Sequence, residues 1–174
     1  MDFFEVIIRN KRYKDFLSDQ SSLTSDQIKQ LMACAQLSPS LSDIQNFTFV
    51  LVTDNGLIHQ LSSEVENGGW MVNSAGIFAV VVVIDDTDDV NIIDAIISSS
   101  QLMLAATSVN LGCNLVVDFS QDAVNQLLGI TDQRLTVIAL IPIGNTDAKG
   151  SQGYKRTLAE LLHHNQFGQP FEFE

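Results

Sequence analysis

The chain has 174 residues, 45% of them apolar, which is long enough for one domain with a sizeable core. Its 21 acidic and 9 basic side chains give a formal net charge of -12, which argues against nucleic acid or an anionic membrane surface as a partner. The two cysteines, Cys34 and Cys113, lie far apart in apolar stretches, so we expect both to be reduced and buried rather than joined or metal-bound.

Apolar spacing predicts alternating helices and strands in the first half of the chain. Residues 2–10 predict a short opening helix. A second helix begins at Thr24, which forms a capping box with Gln27, and ends before Pro39. The pattern then predicts a strand over Phe47–Val52, a turn over 53–56, a short helix over 57–64 and a loop over 67–69.

The second half begins with a Val-rich run over 77–84, which is typical of a strand covered on both faces. A turn over 85–89 leads to a long helix over 90–111, for which Gly112 is the expected cap. The remaining predictions are a strand over 114–117, a helix over 121–128 ended by Gly129, a strand over 135–143 and a helical turn over 157–163.

The helix over 90–111 is apolar almost all round, so we expect it at the centre of the core or in a subunit interface, which favours a homodimer. Asp94 and the polar run 98–101 make it too polar for a membrane span. The N-terminus lacks the basic start of a signal peptide, so we expect a cytoplasmic protein. We find no repeat or linker and predict a single domain over 1–174.

Most catalytic signatures are missing from the sequence. It contains no glycine-rich phosphate loop and no serine in a nucleophile elbow. The histidines, His59, His163 and His164, lack a second ligand at metal spacing. We therefore predict no metal site and no acid, base or nucleophile of the protein's own.

The basic residues are unevenly placed: Arg9, Lys11, Arg12 and Lys14 fall within six residues, and Lys155 and Arg156 form a second pair. In so acidic a chain this pattern suits a small bound anion. The alternative is that the first cluster is solvated at a helix C-terminus, where positive charge is favourable.

Residues 37–49, between a helix and a strand, resemble the Pro-Ser-Ser-x-Asn-x-Gln-Pro-Trp segment of the FMN-dependent nitroreductase family. The basic segment ending in Lys14-Asp15-Phe16 is similar to the family's Arg-Arg-Ser-x-Arg-x-Phe start. Residues 97–113 resemble its central helix and next strand, 137–144 its last core strand, and Lys155-Arg156 with Glu160 its closing motif. The resemblance covers residues 2–165 in the family's order.

The resemblance implies an α+β fold, a three-layer α-β-α sandwich with a mainly antiparallel sheet, and an intertwined homodimer with two FMN sites at its interface. One subunit would hold the phosphate and ribityl chain, and the other would supply the Pro-Ser segment. Asn67 would meet the polar edge of the flavin ring, and the backbone near Val117 and Asp118 its N5. The remaining residues implied are Asn10, Lys11, Arg12, Lys14 and Arg156 from one subunit, with Pro39, Ser40 and Asp43 from the other.

The sequence departs from the family pattern at five places. Asn10 stands where the family has Arg, Arg12 for Ser, Asp43 for Asn, Asn46-Phe47 for Pro-Trp, and Asp118 for Gly. Arg12 can replace the missing guanidinium. Asp43 and Asp118 add negative charge that opposes an anionic reduced flavin, which leads to the hypothesis of a lowered flavin potential or weak FMN retention.

The implied activity is flavin-dependent oxidoreduction: NADH or NADPH reduces FMN, and a nitroaromatic, quinone or similar acceptor is then reduced in a ping-pong sequence. The alternative is a non-catalytic dimer of the same fold that binds flavin weakly or takes another small anion. Phe47, Trp70 and Phe119 are candidates for the pocket wall, although core packing is the commoner role of aromatic residues.

Overall fold

The computed structural model describes residues 1–18, 22–41, 44–84 and 88–173. Over these ranges, most of the helices and strands that the sequence predicts are present. The α-helices are α1 (Phe3–Arg9), α2 (Ser25–Gln36), α3 (Asn55–Ser63), α4 (Asp88–Ser108), α5 (Gln121–Leu127) and α6 (Leu158–Leu161). The strands are β1 (Phe47–Val52), β2 (Gly76–Val83), β3 (Gly112–Cys113) and β4 (Leu135–Gly144), and a 3-10 helix covers Gly68–Asn73.

The strands form one sheet in the order β1-β2-β4-β3. Strand β2 pairs antiparallel with β1 on one side and with β4 on the other, and β3 pairs antiparallel with β4. Because both edges and both faces of β2 are covered, its apolar run is buried nearly throughout. The predicted antiparallel sheet is confirmed.

Helices cover both faces of this sheet and complete the three-layer α-β-α sandwich. Phe78 and Val80 of β2 pack with side chains of α2 and α4 in a first core. The alternate residues Ile77 and Ala79 pack with side chains of α3 and α5 in a second core. The period of two along β2 therefore divides its side chains between two cores.

A bulge in β4 interrupts this alternation. Val80 pairs with Ala139, whereas Val81 pairs with Val137, so Ile138 is an extra residue on β4. As a result, Val137 faces the second core and Ala139 the first, although they are two residues apart. A simple alternation of faces along β4, which periodicity assumes, does not hold here.

Local hydrogen bonds explain where two helices begin. The capping box between Thr24 and Gln27 is present at α2, as predicted. Helix α3 begins at Asn55, inside the segment predicted as a turn, because the Asp54 side chain accepts from the Leu57 backbone N–H at 2.8 Å. The turn prediction for 53–56 is therefore wrong for its last two residues.

The end of α4 also corrects the sequence prediction. The helix ends at Ser108, and the residue with a left-handed backbone is Asn110 (φ 62°), not Gly112. Gly112 instead begins β3, which ends at Cys113. The predicted strand over 114–117 therefore lies just after β3 and does not overlap it, and within it Val116 forms an isolated bridge with Leu140. Of the predicted turn over 85–89, residues 85–87 lie outside the described ranges, and Asp88 and Asp89 belong to α4.

Helix α4 carries its polar residues into the core. Ser98 donates to the Ala35 carbonyl at 2.8 Å, and Ser99 donates to the Ala95 carbonyl at 2.7 Å; both serines are buried. The prediction of a helix packed in the core is confirmed. By length and composition alone, Asp89–Ser108 of α4 is also able to cross a membrane, and half of its apolar window is buried inside the protein.

The two cysteines are free, as predicted, but differ in burial: Cys34 is partly buried and Cys113 fully buried. Burial raises the pKa of the Cys113 thiol to about 12 from its ordinary 9.0. We therefore expect Cys113 in a Cys34→Ala variant to resist alkylation at mildly alkaline pH until denaturant is added. Labelling of the folded and unfolded variant at equal rates would contradict this.

The same shift gives stability a pH dependence. The unfolded state loses the Cys113 proton above pH 9.0, whereas the folded state keeps it to about 12. The contribution of this group to stability is thus complete below about pH 9 and declines as the pH rises above it. Denaturant unfolding at several alkaline pH values measures the decline, and a Cys113→Ala variant should lack that part of it.

Candidate functional site

The basic segment after α1 runs between two parts of the chain that are distant in sequence. The Arg12 backbone exchanges two hydrogen bonds with Ser151, at 2.9 and 2.8 Å, and the Tyr13 N–H donates to the Cys113 carbonyl at 3.1 Å. Residues 11–14 are therefore fixed between the end of β3 and the segment after β4.

Two glycines allow this close approach. Gly150 has φ 65°, and a Cβ there would lie 2.8 Å from the Lys11 Cβ and 2.9 Å from the Tyr13 Cε1. Gly153 has φ 64°, and a Cβ there would lie 2.9 Å from Nη2 of Arg12. Larger residues at either position would be strained and would push the basic segment away.

The basic residues near α1 have two different surroundings. Arg9 behaves as a helix-end residue: it lies 3.6 Å from the Glu5 carboxylate and donates to the Asn110 Oδ1 at 3.0 Å. Arg9 also borders a small opening of about 100 Å³. Lys11, Arg12 and Lys14 line three larger cavities, so the interpretation as a solvated helix end does not describe them.

The first cavity, which we call the basic cleft, has a volume of about 680 Å³. Among the described residues, its wall contains three cationic side chains and no carboxylate, although the chain has more than twice as many acidic as basic residues. Such a composition suits an anion of phosphate type. The lining residues are Ile7, Ile8, Asn10, Lys11, Arg12, Met103, Ser151, Gln152, Gly153, Tyr154 and Lys155.

A second cavity of about 240 Å³, which we call the aromatic cleft, shares Arg12 with the first. Trp70 forms one wall, with the Lys14 Nζ 5.7 Å from the centre of its ring and the Phe16 ring 5.9 Å away. Arg12 and Lys14 also border a third opening, of about 480 Å³, that lies along residues 148–151. The lining residues of the aromatic cleft are Arg12, Lys14, Val65, Glu66, Trp70, Asn114, Leu115, Val116, Val117 and Asp118.

The aromatic cleft contains charges of both signs. Arg12 and Lys14 lie on its wall with two exposed carboxylates, Glu66 and Asp118. Among the residues that the structure describes, ion pairs within 4.0 Å join other side chains, and none joins these four. All four groups are therefore available to a ligand.

The structure brings six of the predicted site residues to the two clefts. Asn10 lies in the basic cleft, where its Oδ1 accepts from the Thr107 hydroxyl at 3.4 Å. Five others line one or both clefts. They are Lys11, Arg12, Lys14, Val117 and Asp118.

The other predicted residues are not among those that line the two clefts. Pro39 and Ser40 follow α2 and line neither cleft, and Asp43 is outside the described residues. Asn67 has a left-handed backbone (φ 56°) directly before the 3-10 helix, a helix that the sequence predicted as a loop. Arg156 is exposed and lines neither cleft, whereas its neighbour Lys155 lines the basic cleft.

Sequence reasoning missed Glu66, Gln152 and, as a site residue, Lys155. Trp70 was a candidate wall and is both packed against the second core and part of the aromatic cleft. Phe47 and Phe119 pack against the first and second cores, which is the role expected as commoner. The missed residues carry no local signal, because the site forms only when distant segments meet.

Among the described residues, no group of three His, Cys, Asp or Glu side chains is placed to hold a metal.

A buried carboxylate holds the Pro-Ser segment in place. Asp94 of α4 is 1% exposed, and its Oδ1 accepts the Leu41 backbone N–H at 2.8 Å. We expect Asp94→Ala to reduce the free energy of unfolding by about 1–3 kcal/mol, because the Leu41 amide loses its acceptor. Asp94→Asn keeps an amide oxygen and should lose less. Denaturant unfolding of the two variants checks this order, and equal losses would contradict it.

Comparison with known proteins identifies the fold. Residues 79–145, from β2 to just beyond β4, match the model of the Nitroreductase family. A nitroreductase family protein from Clostridium novyi NT is 24% identical to the chain, with a TM-score of 0.79 over 98% of this chain and 97% of that one. No curated protein matches the sequence.

Two further solved structures are similar at lower identity. An FMN-dependent nitroreductase from Clostridium difficile R20291 is 20% identical, with a TM-score of 0.77 over 91% of this chain and 98% of that one. An NADPH:FMN oxidoreductase from Vibrio harveyi, solved with NAD+, is 19% identical, with a TM-score of 0.86 over 95% of this chain and 78% of that one. The nitroreductase-like fold predicted from the sequence is confirmed.

Proposed function

We propose that the chain is a member of the nitroreductase family and a flavin-dependent oxidoreductase that binds FMN where its two clefts meet. The observation that carries the proposal is that Arg12 lines both the basic cleft and the aromatic cleft. An anion site and an aromatic-walled site that share one arginine suit a ligand with a phosphate at one end and a ring system at the other.

The residues present fit FMN. Lys11, Arg12 and Lys155 would hold the phosphate, because they surround the basic cleft without a competing carboxylate. Lys14 and the backbone at Val117 and Asp118 would meet the polar edges of the ring in the aromatic cleft. Arg156 is proposed as a weaker, solvated phosphate contact, since it follows Lys155 directly but is exposed.

When bound, FMN supplies hydride and electron transfer between NADH or NADPH and an acceptor such as a nitroaromatic or a quinone. The chain's own residues would bind and orient the FMN and the substrates and keep water away from the flavin ring. At about 240 Å³ the aromatic cleft is smaller than ordinary ligand pockets, which favours one substrate at a time and hence the ping-pong order.

We propose that the working unit is a homodimer in which Pro39, Ser40 and Asp43 come to the site from the partner. Large apolar side chains are exposed on α1 and on the segment after β4; Phe4 is 75% exposed and Phe167 is 94% exposed. Apolar surface of this extent needs cover in water. Thr157 and Glu160 cap α6 in that segment, so it has local structure to present to a partner.

The experiment is reconstitution of the purified protein with FMN, followed by anaerobic addition of NADH or NADPH and then of a quinone. We expect a yellow protein whose flavin colour is bleached by the nicotinamide and restored by the quinone. A protein that stays colourless with excess FMN would contradict the proposal and would support the non-catalytic alternative. A protein that binds FMN but is not bleached by either donor would contradict the activity alone.

A further inference from the structure

We infer that Glu66 and Asp118 make the aromatic cleft discriminate against acceptors that carry an anionic group, because their carboxylates repel negative charge there. This inference rests on the proposed function and adds a charge selectivity to it. It begins from the four charged side chains of that cleft, two cationic and two anionic, which form no ion pairs with one another.

Flavin binding separates these charges. Arg12 and Lys14 lie on the side of the aromatic cleft next to the basic cleft and the opening along residues 148–151, where the phosphate and the ring's polar edge would lie. Once a ligand of that kind covers the two cations, Glu66 and Asp118 are the charged groups left exposed to a second ligand. The lining side chains that remain exposed then carry a net negative charge, whereas in the empty cleft the positive and negative charges balance.

The uncharged surface of the same cleft suits a flat ring. Val117 is 64% exposed beside Asp118, and Trp70 lines the same cleft from another segment of the chain. An apolar side chain and an indole ring favour aromatic acceptors. The net charge of -12 adds a general repulsion of anions, so a local effect has to be measured against that background.

The test compares a naphthoquinone with its sulfonated derivative, which keeps the ring and adds one negative charge. Dissociation constants come from the perturbation of flavin absorbance in the FMN-loaded, oxidised protein, and kcat/KM for both quinones is measured in parallel. We expect the native protein to prefer the neutral quinone about three- to tenfold, and this preference to fall as salt is added.

The variants are Glu66→Gln, Asp118→Asn and the two combined, with Asp26→Asn as a control that removes one surface charge, as each single variant does. Glu66 and Asp118 are both exposed, so the double variant removes charge without disturbing the core. Asp26 lies on α2, away from the cleft, and its side chain is 98% exposed. We expect the double variant to bring the two dissociation constants close to each other and Asp26→Asn to leave their ratio unchanged.

Each of the following results overturns the inference. Equal affinity for both quinones in a native protein that binds FMN and reduces the neutral quinone would overturn the inference and leave the proposed function standing. A preference that persists in the double variant, or that Asp26→Asn reduces equally, would assign the discrimination to the overall charge. A chain that takes up no flavin overturns both proposals.

Discussion

Replacing Arg12 with alanine should weaken FMN binding roughly 10- to 100-fold, since it removes a guanidinium that borders both clefts. The loss should be much smaller for riboflavin, which has no phosphate. Trp70 is the single tryptophan of the chain and lines the aromatic cleft, so quenching of its fluorescence reports binding of either flavin.

Lys29→Ala is the matched control for Arg12→Ala. Lys29 is an exposed cation on α2, 4.0 Å from Asp26, and lies in neither cleft. Its removal changes the net charge by the same amount as Arg12→Ala and should leave the FMN affinity nearly unchanged. Equal losses in the two variants would mean that Arg12 acts only through the overall charge, and no loss in either would remove Arg12 from the site.

Replacing Phe78 with alanine should reduce the free energy of unfolding by about 3 to 5 kcal/mol. Phe78 is 1% exposed at the centre of β2 and packs edge-on against Phe49 at 6.4 Å. Its removal leaves a cavity in the first core, between the sheet and the layer of α2 and α4. Denaturant unfolding followed by circular dichroism measures the loss.

A graded control distinguishes cavity formation from a general intolerance of the position. Phe78→Leu retains most of the apolar volume and should lose under about 2 kcal/mol. The measurements are repeated at several protein concentrations, because a dimer makes apparent stability depend on concentration. Losses of the same size in both variants would contradict the packing described for the first core.

Periodicity was sufficient for the sheet and for most helices, because burial on both faces leaves a clear apolar run in β2. It failed where a single contact determines a boundary. Because Asp54 accepts a hydrogen bond from the Leu57 N–H, α3 begins two residues earlier than predicted. Likewise, Asn110 takes the left-handed conformation that was expected of Gly112. The bulge at Ile138 likewise depends on pairing with β2, which no local pattern encodes.

The basic part of the candidate site was predictable from charge, since clusters of cations are conspicuous in an acidic chain. Which cations share a cleft was not predictable, because that depends on the bridge between Arg12 and Ser151, which are far apart in sequence. This bridge brings Lys155 beside Arg12 and leaves Arg156 exposed. Glu66 enters the aromatic cleft in the same way, through the fold and not through a motif.

The departure at Asn10 and Arg12 has a simple structural reading. Asn10 caps the C-terminus of α1, and its side-chain oxygen accepts a hydrogen bond from Thr107 of α4. Its carboxamide has no guanidinium with which to hold a phosphate. Arg12, two residues later, lies between the clefts and against Gly153. We propose that the phosphate contact has moved two residues along the chain, from position 10 to Arg12.

Asp118 lines the aromatic cleft, and we keep the hypothesis that its charge lowers the reduction potential of the flavin below that of free FMN.

The most direct test of the central claim, that the basic cleft holds the phosphate of a flavin, is a comparison of FMN with riboflavin as ligands of the native protein. Titration of Trp70 fluorescence at low and high salt gives the four dissociation constants. We expect FMN to bind at least about tenfold more tightly than riboflavin at low salt, with the difference shrinking at high salt. Equal affinity for the two flavins at both salt concentrations would contradict the account.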